Sequence, residues 1–428
     1  MVWTAILLLL VILALSIPVA SGLVLLALAL DYLYSFLPLR LAMGETAWSV
    51  STNFILFAIP LFVMLGEILL RSGIAERMYA AMTHWLSWLP GGLMHSNIGT
   101  CTLFAAVSGS SVATAATIGT VAIDQIDKYG YNERLYLGTI AAGGTLGILI
   151  PPSIPMIVYG ALTNTSIPQL YMAGIVPGVL LAGLFMLTVI VACLFRPRWG
   201  GRAIRTGWGA RFRSLPDLLP PLLIFVVVIG SIYAGVATPT ESAGLGVVAA
   251  FALAAVRRRL SLRMLADVFE GTMRTTAMIM AILIAAYFVN FVVTSIGLSG
   301  KVTGLITSLG FSPTATIIMI AVFYLILGMF MESLSMLVAT VPIITPVATA
   351  LGFDPVWFGV FVMLLIETAL ITPPVGFNLF VVQGVRPRGQ IYDVVLGAAP
   401  FVLTLLVIIG ILIAYPQLAL WLPHNLPG

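Results

Sequence analysis

The chain has 428 residues, of which 61% are hydrophobic and 8% charged, with a formal net charge of +4. A soluble globular protein carries about 25% charged residues, so this chain has too little polar surface to face water and reads as an integral, polytopic membrane protein. Ten of the nineteen basic residues lie between Arg196 and Arg263, split by apolar stretches, which excludes a continuous nucleic-acid surface and places those loops in the cytoplasm.

Residues 2–37 are almost wholly apolar and would form a helix of about 54 Å, longer than the bilayer core, with Pro18, Ser21 and Gly22 as points of division. Neither a basic segment nor a cleavage site marks this stretch, so it is expected to be a retained membrane segment. A wetter loop, Arg40 to Trp48, leads to a span over 52–70, and Arg71, Glu76 and Arg77 place the end of that span in the cytoplasm. The stretch 95–123, HSNIGTCTLFAAVSGSSVATAATIGTVAI, has two arms too short to cross, joined by Ser108-Gly109-Ser110-Ser111. It predicts a re-entrant helical hairpin with a polar tip. After a charged loop, 124–134, a helix over 135–162 is interrupted by Pro151 and Pro152. Neither proline donates a backbone hydrogen bond, and each disfavours helix at the preceding residue. In hydrocarbon such a break survives only where protein or a water-filled cavity satisfies the freed carbonyls.

The loop 163–169 has no basic residue, and a long helix runs from it to Arg196. The Arg- and Gly-rich segment 196–217 is predicted to be a cytoplasmic linker, 218–256 a connecting pair of helices (218–236 and 240–256) in a scaffold, and 275–294 a further span. The second half then replays the first. A hairpin over 313–350 has its tip at Met331-Glu332-Ser333, and a helix over 356–385 is broken at Pro373 and Pro374, 222 residues after the first Pro-Pro. Gly130-Tyr131-Asn132 and Ser111 find counterparts in Gly352-Phe353-Asp354 and Ser333 at the same spacing. Residues 1–195 and 257–428 are therefore two repeats. Around the first break the earlier loop carries Lys128 and Arg134 and the later one no basic residue; around the second, the earlier loop carries none and the later one Arg386 and Arg388. This reversal predicts inverted topology, with one hairpin entering from each face.

Two interrupted segments in corresponding halves point to the binding site of a secondary transporter. Half-helix N-termini suit a carboxylate, while half-helix C-termini and unwound carbonyls suit a hard cation such as Na⁺. A first site would draw on Ser108, Gly109, Ser110, Ser111 and Thr114, with the backbone from Gly144 to Pro151. A second would draw on Glu332, Ser333 and Thr340, with Glu367, Thr368, Thr372 and Asn378. Glu332 and Glu367 are candidates by default, because acids at midplane depth are costly. Of these groups, Ser110, Ser111, Pro152, Ser333, Thr368, Pro374 and Asn378 are the candidates to face substrate. Small residues also serve close helix packing, the competing reading for each Ser, Thr and Gly. Glu67 is read as a helix-end ion pair with Arg71 at i+4, Glu241 as part of a cap after Thr238, and His95 as a packing or hydrogen-bonding residue. Cys101 and Cys193 make no metal or disulfide pattern, and the three histidines are far apart. Absence of GK[ST], HExxH and GxSxG motifs argues against an ATP-driven pump and against an enzyme.

FAAVSGSSVATAATIGT (104–120), GILIPPSIPMIVYG (147–160), QLYMAGIVPG (169–178), GMFMESLSMLVATVPIITPV (328–347) and ITPPVGFNLFVVQG (371–384) resemble the large membrane (M, DctM-like) subunit of tripartite ATP-independent periplasmic (TRAP) transporters. In that family Asp often stands where this chain has Glu332. The resemblance implies an all-α elevator-type symporter with scaffold and transport domains, similar in plan to the divalent-anion and citrate transporters. It implies uptake of an organic acid (a C4-dicarboxylate, sialic acid or other sugar acid) across the bacterial inner membrane, driven by a Na⁺ gradient. It further implies two partners on separate chains, a periplasmic substrate-binding protein and a small helical membrane subunit. Against this stand a stand-alone Na⁺-coupled dicarboxylate or citrate transporter that needs no binding protein, and an ion channel.

Overall fold

Pro18 divides the N-terminal apolar stretch. Helix α1 spans Val2–Ala14 and α2 spans Val19–Tyr34, with Pro18 at the N-cap of α2, where a missing N–H leaves no helical bond unmade. The chain is described here by a computed structural model that covers residues 1–15, 17–202, 204, 206–308 and 310–425, with the backbone but not the side chains of 13, 306 and 307. Every regular element among the described residues is helical. The stretch expected as a wet loop after Tyr34 contains a helix, α3 (Met43–Ser51). It is set up by a buried Asp31, whose carboxylate accepts from the Leu39 and Arg40 N–H groups at 3.0 and 3.2 Å.

The next elements are α4 (Ala58–Arg71), α5 (Ile74–Leu86), α6 (Leu93–Ser108), α7 (Ser111–Ala122), α8 (Gln125–Tyr129), α9 (Glu133–Leu149), α10 (Ile154–Thr163) and α11 (Ile167–Phe195). Asn132, Ser153 and Ser166 cap α9, α10 and α11 with side-chain oxygens that accept N–H bonds of the first turn. After a short linker come α12 (Trp208–Tyr233), α13 (Pro239–Val256) and α14 (Leu262–Ser295). Helix α12 begins inside the segment expected as linker. Pro216, Pro220 and Pro221 lie within it. The predicted span 275–294 is the second part of the 34-residue α14. The chain closes with α15 (Leu298–Ser308), α16 (Pro313–Gly328), α17 (Ser333–Ala350), α18 (Pro355–Leu370), α19 (Phe377–Val385), α20 (Ile391–Ala414) and α21 (Gln417–Asn425).

Among the described residues, eight helical segments are long and apolar enough to cross a membrane, which makes this a multi-pass membrane protein. Their burial separates core from periphery. Over an apolar 18-residue stretch of each, the α9–α10 segment is 94% buried in the molecule and α12 28% buried, with Leu223 and Val226 turned outward. The most enclosed membrane segment is therefore the broken one. Helix α9 packs against α6, α7 and α11 of its own half and against α18, α19 and α20 of the other. Its crossing with α20 is so close that a Cβ on Gly138 would overlap the Gly397 carbonyl, and one on Gly397 would overlap that of Arg134. On the outer side α2, α4, α13 and α14 pack together, and Thr240 Oγ1 donates to the Phe54 carbonyl at 2.9 Å.

Polar contacts tie the halves at both ends of α9–α10. Before the first break, Arg134 pairs with Asp393 at 3.0 Å and the buried Arg386 with Glu133 at 2.5 Å, and Arg388 pairs with Asp127. After it, Tyr159 Oη donates to the Pro355 carbonyl at 2.7 Å. The loop preceding the first break thus meets the loop following the second, and the helix following the first meets the start of the helix preceding the second. Beneath the first hairpin lies a buried network. Tyr79 Oη donates to Asn97 Oδ1 at 3.0 Å and lies 2.8 Å from Tyr136 Oη, and Asn97 Nδ2 donates to Thr139 Oγ1 at 2.9 Å. It joins α5, α6 and α9.

Candidate functional site

The first tip is built from Ser108, the C-terminal residue of α6, from Gly109 and Ser110, and from Ser111, the first residue of α7. Gly109 is in the left-handed region at φ 61°, and a Cβ there would lie 2.6 Å from the Pro152 carbonyl oxygen, so two constraints select glycine at this point. The tip rests on the first break: the Ile154 N–H points at the Gly109 carbonyl at 3.5 Å. Gly147, which the sequence reading did not single out, completes the cradle. A Cβ on it would sit 2.7 Å from the Ser110 backbone, so α9 carries the tip against bare main chain. Ser110 caps α7 through a neutral hydroxyl, accepting from the Ala113 N–H at 3.4 Å. Thr114 Oγ1 donates to the Ser110 carbonyl at 2.7 Å and lies 3.1 Å from Ser108 Oγ. Ser108, Gly109, Ser110, Ser111 and Thr114 thus lie together against Gly147 and Pro152, with Pro151 next in the chain, while Gly144 packs against Ala115 of α7.

The second tip has the same plan with a different charge. Glu332 is the N-cap of α17. Its Oε2 accepts from the Leu334 and Ser335 N–H groups at 3.0 and 3.1 Å, and its Oε1 accepts from Ser333 Oγ at 2.6 Å. The Val375 N–H donates to the Met329 carbonyl at 3.3 Å, so this tip also touches its break. A carboxylate already sits on the N-terminus of α17, where it offsets the partial positive charge of the helix; at the first tip, the N-terminus of α7 keeps that charge. The first tip suits an anion better and the second a cation. Exposure differs too. Ile150–Ser153 is buried throughout, whereas Pro373, Pro374 and Val375 are exposed.

The other expected members of the second site are spread over three helices and the second break. Thr340 is seven residues into α17, roughly 10 Å along the helix from Ser333, and bonds Tyr324 Oη at 2.6 Å and the Met336 carbonyl at 2.7 Å. Its hydroxyl fastens α17 to α16. The Thr368 and Thr372 hydroxyls donate to the Leu364 and Thr368 carbonyls at 2.8 and 2.6 Å, the usual way a hydroxyl is satisfied within a membrane helix. Glu367 and Asn378 cross to the other half. Glu367 on α18 is fully buried beside the Leu149 backbone of the first break, a loose polar contact that leaves neither carboxylate oxygen with a hydrogen bond of good geometry among the described residues. Asn378 in the first turn of α19 donates from Nδ2 to the Ala141 carbonyl at 3.3 Å and lies close to Gly144, while its buried Oδ1 has no partner there. Nothing local in the sequence gives these crossings.

The polar residues assigned local roles do play them. Glu67 pairs with Arg71 at 3.1 Å, Thr238 and Glu241 form a capping box, and His95 Nε2 lies 2.8 Å from the Pro90 carbonyl. Gly147→Ala should displace the first tip by overpacking, at about 1–3 kcal/mol. Uptake in reconstituted vesicles is expected to fall at least about tenfold, with detergent-solubilised protein still monodisperse. Wild-type uptake in this variant would mean the tip does not depend on α9 for its position.

Compared with known proteins, residues 6–418 match the family model described as the DctM component of the tripartite ATP-independent periplasmic transporter. The chain is 34% identical over 398 residues to the C4-dicarboxylate TRAP transporter large permease protein DctM of Vibrio cholerae, covering 88% of this chain and 87% of that one. It is 31% identical over 414 residues to the sialic acid TRAP transporter large permease protein SiaM of the same organism, covering 96% of each. Among solved structures, the YdaH transporter of Alcanivorax borkumensis aligns with a TM-score of 0.67 over 97% of this chain and 98% of its own, at 17% identity, a likeness of fold alone. The motifs at the two tips and two breaks lie within the matched region, and the chain belongs to the DctM family of large membrane components of tripartite ATP-independent periplasmic transporters.

Proposed function

We propose that this subunit imports an organic acid across the bacterial inner membrane by Na⁺-coupled symport, receiving its substrate from a periplasmic binding protein and working beside a small membrane subunit. The observation that carries this reading is the meeting of the two halves around α9. The first tip, the first break, Glu367 and Asn378 bring neutral hydroxyls, backbone carbonyls and two unpartnered buried side-chain acceptors into one region. Oxygen donors of this kind fit Na⁺, which would be held by Glu367 with carbonyls of the break; bound there, it supplies the positive charge that a buried carboxylate otherwise lacks. The uncompensated N-terminus of α7 beside Ser110 and Ser111 fits a substrate carboxylate. The names of the two Vibrio cholerae relatives favour a C4-dicarboxylate or a sialic acid over a neutral cargo.

The pairing of loops supports inverted repeats. Arg134–Asp393 and Arg386–Glu133 join the region before one break to that after the other, and Tyr159–Pro355 does the converse. Helices α2, α4, α13 and α14 would be the scaffold against which the tips and breaks move as the transport domain of an elevator.

The test is reconstitution with the binding protein and small subunit, followed by uptake of radiolabelled succinate and sialic acid with and without an inward Na⁺ gradient. Saturable uptake that needs Na⁺ and binding protein, and is lost in the Ser110→Ala, Ser333→Ala double variant, is expected. Uptake indifferent to Na⁺ would sink the coupling; uptake without the binding protein would make the chain a stand-alone carrier; current without saturation would make it a channel.

A further inference from the structure

A cavity that the transport reading leaves unused lies at the base of α11, where the linker folds back. Its volume is about 620 Å³, and its walls include Ser87, Trp88, Gly92, Leu194, Thr206 and Arg211. Arg211 forms no ion pair among the described residues, and its Nε is buried without a hydrogen-bond partner. Its guanidinium lies over the Trp208 ring at 4.7 Å, which orients it without neutralising it. The sequence from Arg196 to Arg213 contains six arginines and no acid. The nearest acid along the chain, Asp217, is engaged by Arg77 and Arg257, each at 3.6 Å. The cavity is an open recess and presents an uncompensated cation to whatever enters it.

Its position says which anion fits. The walls contain the end of α11, a membrane-crossing helix by length and composition, and the chain turns basic immediately after Phe195. That is the depth at which phospholipid headgroups sit on the cytoplasmic side. Trp88 and Leu194 in the walls, Phe195 and Phe212 next in the chain to wall residues, and Trp208 under Arg211 are exposed by 59% or more, an apolar, aromatic surround suited to acyl chains and glycerol rather than to a small hydrophilic ion. We infer that this cavity is a binding site for the headgroup phosphate of an anionic phospholipid, held by Arg211 while the acyl chains run along the outward side of α11.

Purified full-length protein would be examined by native mass spectrometry with phosphatidylglycerol, with phosphatidylcholine, and with phosphatidylglycerol plus millimolar inorganic phosphate. One phosphatidylglycerol should be retained, phosphatidylcholine should not, and inorganic phosphate should not displace the lipid. Arg211→Gln should cut retention about fivefold, the contribution of one basic residue near a membrane surface, and Arg211→Lys should keep part of it. Arg198→Gln, in the same basic stretch but outside the cavity walls, should leave retention unchanged. Melting temperatures would establish that each variant is folded. Equal loss in Arg198→Gln and Arg211→Gln would reduce the effect to diffuse charge and overturn the site. Unchanged retention in folded Arg211→Gln, or displacement by free phosphate, would overturn it as well.

Discussion

Glu367→Gln is expected to leave the protein folded and to remove its response to Na⁺. The carboxylate is wholly enclosed beside the first break, with both oxygens unpartnered among the described residues. An ionised carboxylate in such a place costs several kcal/mol unless a cation accompanies it, whereas the isosteric amide carries no charge. Without Na⁺ the variant should therefore melt no lower than wild type. With Na⁺ at a hundredfold excess over its dissociation constant, wild type should gain about 2.7 kcal/mol and melt higher, while the variant should gain little. Na⁺-driven uptake should fall by about the hundredfold to which that free energy corresponds. Melting curves in Na⁺ and in choline, taken on the same protein in nanodiscs, would decide it. A Na⁺ response of wild-type size in the variant would remove Glu367 from the cation site.

Gly397→Ala is expected to be the more damaging change to the fold, although it adds one methyl group. The new Cβ would overlap the Arg134 carbonyl oxygen and stand 2.6 Å from its carbonyl carbon, so α9 and α20 would have to separate along their crossing. Main chain cannot swing aside as a flexible side chain can, which places the cost at the upper end of overpacking, about 3 kcal/mol. Gly410→Ala is the matched control. It lies on the same helix, where an added Cβ would meet no atom within 4 Å, and helix propensity alone should make it neutral or stabilising by up to about 1 kcal/mol. Size-exclusion profiles and melting temperatures of the two variants should diverge widely. Equal behaviour would mean that the α9–α20 crossing is not a fixed feature.

What the sequence made legible was local. Ser-Gly-Ser-Ser between short apolar arms, and paired prolines within apolar runs, have one economical backbone solution each, and the helices stop at those residues. Glu67 with Arg71, and Thr238 with Glu241, were readable because each partner lies within one turn. What was illegible depends on packing between segments more than 200 residues apart. Asn378 follows the second Pro-Pro, yet its amide bonds Ala141; Glu367 precedes it, yet lies against Leu149. The partner of Thr340, Tyr324, was illegible too, because it lies on the facing helix of the hairpin. The start of α12 was missed in the opposite direction: Arg and Gly between 196 and 217 read as linker, but the helix begins at Trp208.

Each tip meets its break through a main-chain contact, Ile154 N–H to Gly109 at 3.5 Å in one half and Val375 N–H to Met329 at 3.3 Å in the other. Such a bond contributes roughly 1 kcal/mol net, so it works as a light clasp rather than a weld. The first clasp is backed by the close fit of Gly147 under Ser110 and by burial on every side. The second stands beside exposed Phe330, Pro373, Pro374 and Val375 with little behind it. Thermal motion should thus lift the second tip in an appreciable fraction of molecules while the first stays shut. The more easily opened of the two tips would be the one that already carries a carboxylate, Glu332.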